Sequence, residues 1–173
     1  MWQLYCCHMA TPVLKIDRAE TADLDELRER LKTASALGYY YVALLGLRTY
    51  EPLRIAATVR KGLAVSSIAR LQRNSSLPAA TIAEIAQISP RTLARRKKTG
   101  KLDPDESDRL MRVSRVIGRA LELFEGNRTA ASAWLSSAQA GLGGVAPLEL
   151  SRTDVGAREV DNLIGRLEHG IPA

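Results

Sequence analysis

Residues 89–100, S-P-R-T-L-A-R-R-K-K-T-G, decide how the rest of this chain is interpreted. Ser89 suits the N-cap of a helix, because its hydroxyl can accept a hydrogen bond from a first-turn N–H. Pro90 suits the first helical position, where its missing N–H costs nothing. Gly100 can adopt the left-handed conformation that ends a helix. These signals together predict a helix of about three turns between Ser89 and Gly100.

The side chains of this predicted helix divide into an inward anchor and a cationic outer stripe. At helical spacing Leu93 points inward, and it can pack on Ile88 as a hydrophobic staple across the cap. The opposite face is basic, which fits a DNA major groove, although a solvated basic face has the same pattern. The residues that we assign to DNA contact lie on this outer face or at its rim: Ser89, Arg91, Thr92, Arg95, Arg96, Lys97 and Lys98.

The preceding segment favours DNA binding over a merely solvated face. Residues 77–88, L-P-A-A-T-I-A-E-I-A-Q-I, place Ile82, Ile85 and Ala86 on one side of a short helix that starts near Pro78. A tight turn containing Gln87 then leads into the basic helix. Two short helices joined by a tight turn, the second one basic, are typical of a helix-turn-helix.

Positive charge is concentrated around this motif. Between Leu63 and Lys101 the chain carries eight basic residues and one acidic residue, a net charge of +7, whereas the whole 173-residue chain has a net charge of +6. The apolar fraction of 46% is sufficient for a folded core. Charge confined to one motif in this way indicates a phosphate-binding surface.

The hydrophobic pattern predicts an all-α chain in four parts, because no stretch alternates with the period of a strand. Residues 1–22 are expected to be mobile, and residues 23–62 to form N-terminal helices that could mediate dimerisation. Residues 63–115 form the predicted helix-turn-helix module, and residues 116–173 a C-terminal helical domain. No membrane span or secretory signal is predicted, and the adjacent Cys6 and Cys7 favour a reducing cytoplasm.

The N-terminal helices contain two apolar faces. Residues 23–37 carry a leucine stripe that fits either a core or a dimer seam equally well. The stripe consists of Leu24, Leu27, Leu31 and Ala34. A second helix starts at Pro52 and stops at Gly62. Its expected inward residues are Leu53, Ala56, Ala57 and Val59.

The longest predicted helix, which Asp103 caps, links the basic module to the C-terminal domain. Its apolar face is an alternative dimer seam. Thr153 caps the last helix, where Gly165 costs helix propensity and therefore suggests close contact with another helix. Gly170 ends that helix and leaves a short tail. The residues expected to face inward from the last helix are Val155, Val160, Leu163, Ile164 and Leu167.

Six short stretches occur in the order typical of the Xre/MbcA/ParS antitoxins, a family that this chain resembles from Val59 onward. Each stretch is weak alone, but six in the family's order form a specific signal. They are V-R-K-G-L (59–63), I-S-P-R-T-L-A-R-R (88–96), L-D-P-D-E-S-D-R-L (102–110), A-S-A-W-L (131–135), L-G-G-V-A-P-L-E-L (142–150) and L-E-H-G-I-P-A (167–173).

The resemblance implies an antitoxin that represses its own operon and binds a RES-domain toxin. Such toxins are similar in fold to ADP-ribosyltransferases and consume NAD. In the family, the helix-turn-helix binds operator DNA, and the antitoxin's C-terminal end approaches the entrance of the toxin's active site. The residues that we assign to toxin contact on this basis are Trp134, Arg166, His169, Gly170, Ile171, Pro172 and Ala173.

An enzyme is a weaker interpretation of the sequence. The chain has two histidines, His8 and His169, and the second lies at a helix end where the dipole favours a cation. Residues 141–144 are glycine-rich, but no strand precedes them and no G-K-[ST] follows, as a phosphate loop requires. We therefore predict no catalytic residue, no metal site and no cofactor.

A stand-alone helix-turn-helix repressor is the second alternative, with a C-terminal region that dimerises or binds a small molecule. A neighbouring gene for a small RES-like protein would favour the antitoxin. Either protein is expected to act as a homodimer, because one helix-turn-helix reads only a few base pairs and two-fold pairing on a palindromic site extends the recognition.

Overall fold

The computed structural model describes residues 39–47 and 49–171, and all regular structure in these ranges is helical. The two isolated β-bridges in these ranges, Ala64–Lys101 and Gln139–Val145, do not extend into strands. The all-α prediction is therefore confirmed. The helices are α1 (Tyr40–Leu44), α2 (Pro52–Arg60), α3 (Ser66–Ser75), α4 (Ala79–Ile85), α5 (Pro90–Thr99), α6 (Pro104–Leu123), α7 (Arg128–Ser136), α8 (Pro147–Leu150) and α9 (Asp154–Glu168), with a 3-10 turn at Ala140–Leu142.

The 20-residue helix α6 is the centre of the fold, and α1 and α9 pack most extensively against it. At Gly118, an added Cβ would lie 3.2 Å from the backbone nitrogen of Tyr41, so the absence of a side chain lets α1 approach closely. The apolar face of α6, the alternative dimer seam, is packed against its neighbours within the described residues. Its fully buried apolar residues include Leu110, Val113, Val116, Ile117, Ala120 and Leu121.

Helix starts follow the predicted caps. Ser89 accepts a hydrogen bond from the Thr92 N–H at 3.2 Å, and Asn127 accepts one from the Ala130 N–H at 3.0 Å. These bonds satisfy first-turn N–H groups that have no partner within the helix. Thr153 caps α9 in the same way, so three predicted helix starts are confirmed.

The inward face of α2 was predicted wrongly. Ile55 is buried, whereas Leu53 is 78% exposed and Ala56 and Ala57 are exposed as well. Ile55 lies about 160° from Leu53 around the helix axis, so only one of the two can face α6. This short helix has apolar residues on both sides, and the pattern alone does not say which side meets a neighbour.

The inward face of α9 was predicted correctly except at its start. Val160, Leu163 and Ile164 are buried, but Val155 is 73% exposed. Val155 lies about 140° from Val160 around the helix axis and therefore falls outside the buried arc. A hydrophobic residue in the first turn of a helix does not always belong to its packed stripe.

The expected close contact at Gly165 is absent from the described residues, since a Cβ built there meets no heavy atom within 4 Å. We therefore expect Gly165→Ala to raise the free energy of unfolding by about 0.5–1 kcal/mol, because alanine loses less backbone entropy in a helix. Thermal unfolding followed by circular dichroism would show a melting temperature higher by roughly 1–4 °C.

Gly156→Ala is the matched control in the same helix, because its Cβ would overlap the carbonyl oxygen of Leu150. This variant is expected to lower the melting temperature. A lower melting temperature for Gly165→Ala would show that the position is constrained after all.

The predictions for residues 1–22, for the leucine stripe of residues 23–37, and for Pro172 and Ala173 lie outside the described residues.

Candidate nucleic-acid interface and C-terminal surface

Helices α4 and α5 form the predicted pair, joined by a turn at residues 86–89. Pro78 precedes α4 as its N-cap residue, one position earlier than the predicted first turn. Gln87 in the turn has φ of +56°, in the left-handed region that favours glycine. The Ile88 N–H donates to the Ala83 carbonyl at 2.8 Å and closes the turn.

Helix α5 presents a cationic outer face and is anchored by few apolar contacts. Leu93 is half-buried against the core and Ile88 is buried, as the staple predicts. Arg91, Arg95 and Lys98 are exposed, and within residues 39–47 and 49–171 none of them forms an ion pair. Their guanidinium and ammonium groups are therefore available to an anionic partner.

Arg96 has a different environment from its neighbours. Its Nε donates to Glu106 Oε2 at 2.8 Å, its Nη2 donates to Glu106 Oε1 at 3.0 Å, and it is also paired with Asp103. The side chains of Arg96 and Glu106 are only 12% and 9% exposed. This contact corrects the inclusion of Arg96 among the residues assigned to DNA contact, because its guanidinium is engaged inside the protein and ties α5 to the start of α6.

The remaining assigned residues of α5 differ in exposure. The Ser89 hydroxyl, which caps the helix, also donates to Thr92 Oγ1 at 2.9 Å, and Thr92 is half-buried. Lys97 is exposed. Ser89 and Thr92 therefore shape the start of the helix, while Lys97 extends the cationic surface.

The end of α5 is fastened to the segment before α3. The Val65 N–H donates to the Gly100 carbonyl at 3.1 Å, and the Leu102 N–H donates to the Leu63 carbonyl at 2.8 Å. Gly62 has φ of +84°, and a Cβ there would overlap the Leu102 carbonyl oxygen. These contacts hold the C-terminal end of α5, although none of the residues of this helix is fully buried.

The residues predicted at the C-terminal surface fall into two groups. Arg166 and His169 are exposed at the end of α9, beside Ile171, which is 51% exposed. Gly170 has φ of +66°, and the Ile171 N–H donates to the Arg166 carbonyl at 2.9 Å, as in a Schellman motif. Trp134 instead belongs to the packed layer of α7, where its ring centroid lies 6.1 Å from that of Phe124.

Ion pairs join α9 to α6 beside their apolar contact. Arg119 Nη2 lies 2.8 Å from Glu168 Oε2, and Arg115 Nε lies 3.3 Å from Asp161 Oδ2. Burial raises the pKa of Asp161, although the charges of Arg115 and Arg119 act in the opposite direction. The pairs hold the exposed end of α9 in a defined orientation.

Two arginines at the helix-turn-helix were not singled out from the sequence. Arg109 Nε donates to the Ala86 carbonyl at 2.8 Å, and Arg152 Nη2 donates to Glu84 Oε1 at 2.8 Å. The partners are 23 and 68 residues apart along the chain. No short-range pattern marks such pairs, since they depend on how α6 and the α8–α9 connection pack beside α4.

No helix in the described part of the chain combines the length and apolar character that crossing a membrane requires.

Comparison with known proteins relates both regions to antitoxins. A family model described as the antitoxin Xre-like helix-turn-helix domain matches residues 54–115. A second, described as the antitoxin Xre/MbcA/ParS C-terminal toxin-binding domain, matches residues 119–170. An "Antitoxin Xre" of Yersinia enterocolitica is 37% identical over 128 residues, which cover 73% of this chain and 86% of the relative. An "Antitoxin Xre" of Photorhabdus laumondii is 40% identical over 116 residues, covering 66% and 78% respectively.

Proposed function

Because this chain belongs to the Xre family of antitoxins, we propose that it neutralises a RES-domain, NAD-consuming toxin by direct binding and represses its own operon by binding the operator. It acts in both roles through binding, not through catalysis. The observation that carries the proposal is the presence of two separate exposed surfaces, the cationic face of α5 and the end of α9.

The cationic face of α5 supports operator binding. Arg91 and Arg95 are exposed one helical turn apart and free of internal ion pairs in the described ranges, so both can reach base edges in one major groove. A bidentate arginine–guanine contact contributes about 1–3 kcal/mol of discrimination. Lys97 and Lys98 add affinity through phosphates without reading sequence.

The end of α9 supports toxin binding. Arg166 and His169 provide polar groups at the helix terminus, and Ile171, Pro172 and Ala173, which follow Gly170, carry no charged side chain. A stiff proline lowers the entropic cost of ordering that tail on a partner, so Ile171, Pro172 and Ala173 suit a narrow cleft.

The test uses the product of the neighbouring gene, which the proposal expects to be a RES-like protein. The antitoxin is expected to co-purify with that protein and to stop its NAD consumption at equimolar concentration. A stand-alone repressor would bind the upstream DNA but would leave NAD consumption unchanged. Failure of both co-purification and inhibition would refute the antitoxin proposal for this partner.

Deleting residues 170–173 is expected to raise the residual NAD consumption of the toxin in a mixture of the two proteins. Thermal stability and operator binding should remain nearly unchanged, because both depend on the helices. Much of the binding to toxin should persist through α9. Residual NAD consumption at several ratios of the two proteins measures the effect.

Val155→Ala serves as the control, since Val155 is exposed at the opposite end of α9. It should inhibit the toxin as well as the intact protein does. If the truncated protein also inhibits fully at equal concentration, the tail does not block the active site. Inhibition would then come from the exposed face around Arg166 and His169.

We propose a homodimer as the DNA-binding form, with the leucine stripe of residues 23–37 at its seam. Two observations support a seam in the N-terminal third. The apolar face of α6 is occupied within the core, and the outer face of α2 exposes Leu53, Ala56 and Ala57. Light scattering at micromolar concentration, with and without operator, should give the mass of a dimer. A monomer mass under both conditions would exclude this assembly.

A further inference from the structure

The turn between α4 and α5 is held from outside the helix-turn-helix by the Arg109 side chain and by the backbone carbonyl of Arg152. Arg109 of α6 donates from Nε to the Ala86 carbonyl at 2.8 Å. On the same turn, Gln87 donates from its amide nitrogen to the Arg152 carbonyl at 3.4 Å. The angle between α4 and α5 is set at this turn, so residues that form hydrogen bonds with the turn influence the position of the cationic face.

Arg152 makes the second set of contacts with the helix-turn-helix. It lies in the connection between α8 and α9, 68 residues beyond its partner Glu84. Its Nη2 lies 2.8 Å from Glu84 Oε1, and its Nε lies 2.8 Å from Glu149 Oε2. Its carbonyl accepts a bond from Arg112 Nη1 of α6 at 3.0 Å. One residue therefore connects α4, the turn, α6 and the end of α8.

We propose that Arg152 is a positioning residue for DNA recognition, supplied to the helix-turn-helix by the C-terminal region. This inference rests on the proposed operator binding. The Arg152 guanidinium pairs with Glu84 on α4 and thereby helps to set the angle at which α4 leads into α5. The bond from Gln87 is made to the Arg152 carbonyl, which an alanine at this position would retain. It lies within residues 119–170, which match the toxin-binding domain model, so the region that meets the toxin also supports the DNA-binding turn.

The size of the effect follows from the exposure of the pair. The side chains of Arg152 and Glu84 are 30% and 67% exposed, so each ion pair adds little to global stability. Base contacts respond more strongly than stability, because a bidentate arginine contact has a narrow geometry. Loss of the Arg152 side chain should therefore reduce specific DNA binding more than it reduces folding.

The experiment compares Arg152→Ala with Arg158→Ala. Arg158 is a suitable control because it lies in α9, forms a 2.8 Å ion pair with Asp154, and is 72% exposed. Affinities are measured for a duplex from the upstream region and for a scrambled duplex at one salt concentration. Arg152→Ala should weaken binding to the upstream duplex about 3- to 10-fold and change binding to the scrambled duplex by less than about twofold.

Arg158→Ala should change neither affinity, and both variants should melt within about 4 °C of the intact protein. Arg152→Lys should give an intermediate loss, because an ammonium group keeps the charge but does not span two carboxylates as a guanidinium does. An unchanged ratio of the two affinities in Arg152→Ala would overturn the proposal.

A measurement without DNA separates this inference from the proposed operator binding. Amide hydrogen exchange at Gln87 and Ile88, whose N–H groups bond to Glu84 and Ala83 at 2.8 Å, should be faster in Arg152→Ala than in Arg158→Ala. If the intact protein shows no preference for upstream DNA, operator binding fails as a function. Unchanged exchange rates at Gln87 and Ile88 in Arg152→Ala would contradict the inference that Arg152 positions the turn.

Discussion

Replacing Arg91 and Arg95 together by alanine is expected to abolish most of the preference for operator over other DNA. Both side chains are exposed on α5 without an internal ion pair in the described ranges. If each makes a bidentate base contact, its loss costs about 1–3 kcal/mol, a roughly 5- to 150-fold change in the specificity ratio per residue. The fold should be retained, because the Ser89 cap and the Leu93 anchor are untouched.

Titrations of operator and scrambled duplexes at two salt concentrations test this expectation. Lys97→Ala is the control, since Lys97 is exposed on the same helix and is assigned to phosphate. It should weaken binding to both duplexes equally and reduce the slope of log affinity against log salt by about 1. An unchanged specificity ratio in the double arginine variant would remove the assignment of α5 as the recognition helix.

Replacing Arg96 by alanine is expected to be among the most destabilising substitutions on α5. The Glu106 carboxylate would remain almost buried after losing its 2.8 Å and 3.0 Å bonds to Arg96, with the Asp103 N–H at 2.9 Å as its remaining donor. Removing one partner of such a pair costs about 3–5 kcal/mol. The melting temperature should fall by roughly 6–20 °C. Binding to every DNA sequence should weaken as well, because α5 loses its ion pairs with the start of α6.

The double variant Arg96→Met with Glu106→Gln tests the cause. Glutamine at this position can still accept the Asp103 N–H as a capping box requires, but it buries no charge. Most of the lost stability should therefore return. Lys97→Ala should melt within about 2 °C of the intact protein, because exposed positions contribute little. If Arg96→Ala were stable and reduced the slope of log affinity against log salt, Arg96 would again be assigned to DNA contact.

Local signals determined the helix boundaries of this protein. Ser89, Asn127 and Thr153 each cap a helix through a first-turn N–H three residues away. Gly100 and Gly170 end helices with positive φ. These bonds and torsions involve residues close in sequence, so their free energies are nearly independent of the surrounding fold. The two short helices of the helix-turn-helix were predictable for the same reason.

Tertiary packing alone decided which face of each short helix is buried and which cations are free. Helical periodicity gives the angle between two side chains of one helix, but not the direction of the neighbouring helix, so Leu53 and Val155 were assigned to the wrong side. Arg96 and Arg95 are adjacent in sequence, yet only Arg96 meets the buried Glu106 carboxylate. Arg152 reaches Glu84 because α6 and the α8–α9 connection pack beside α4. The two residues are 68 positions apart, and no periodic pattern in the sequence predicts a contact over that distance.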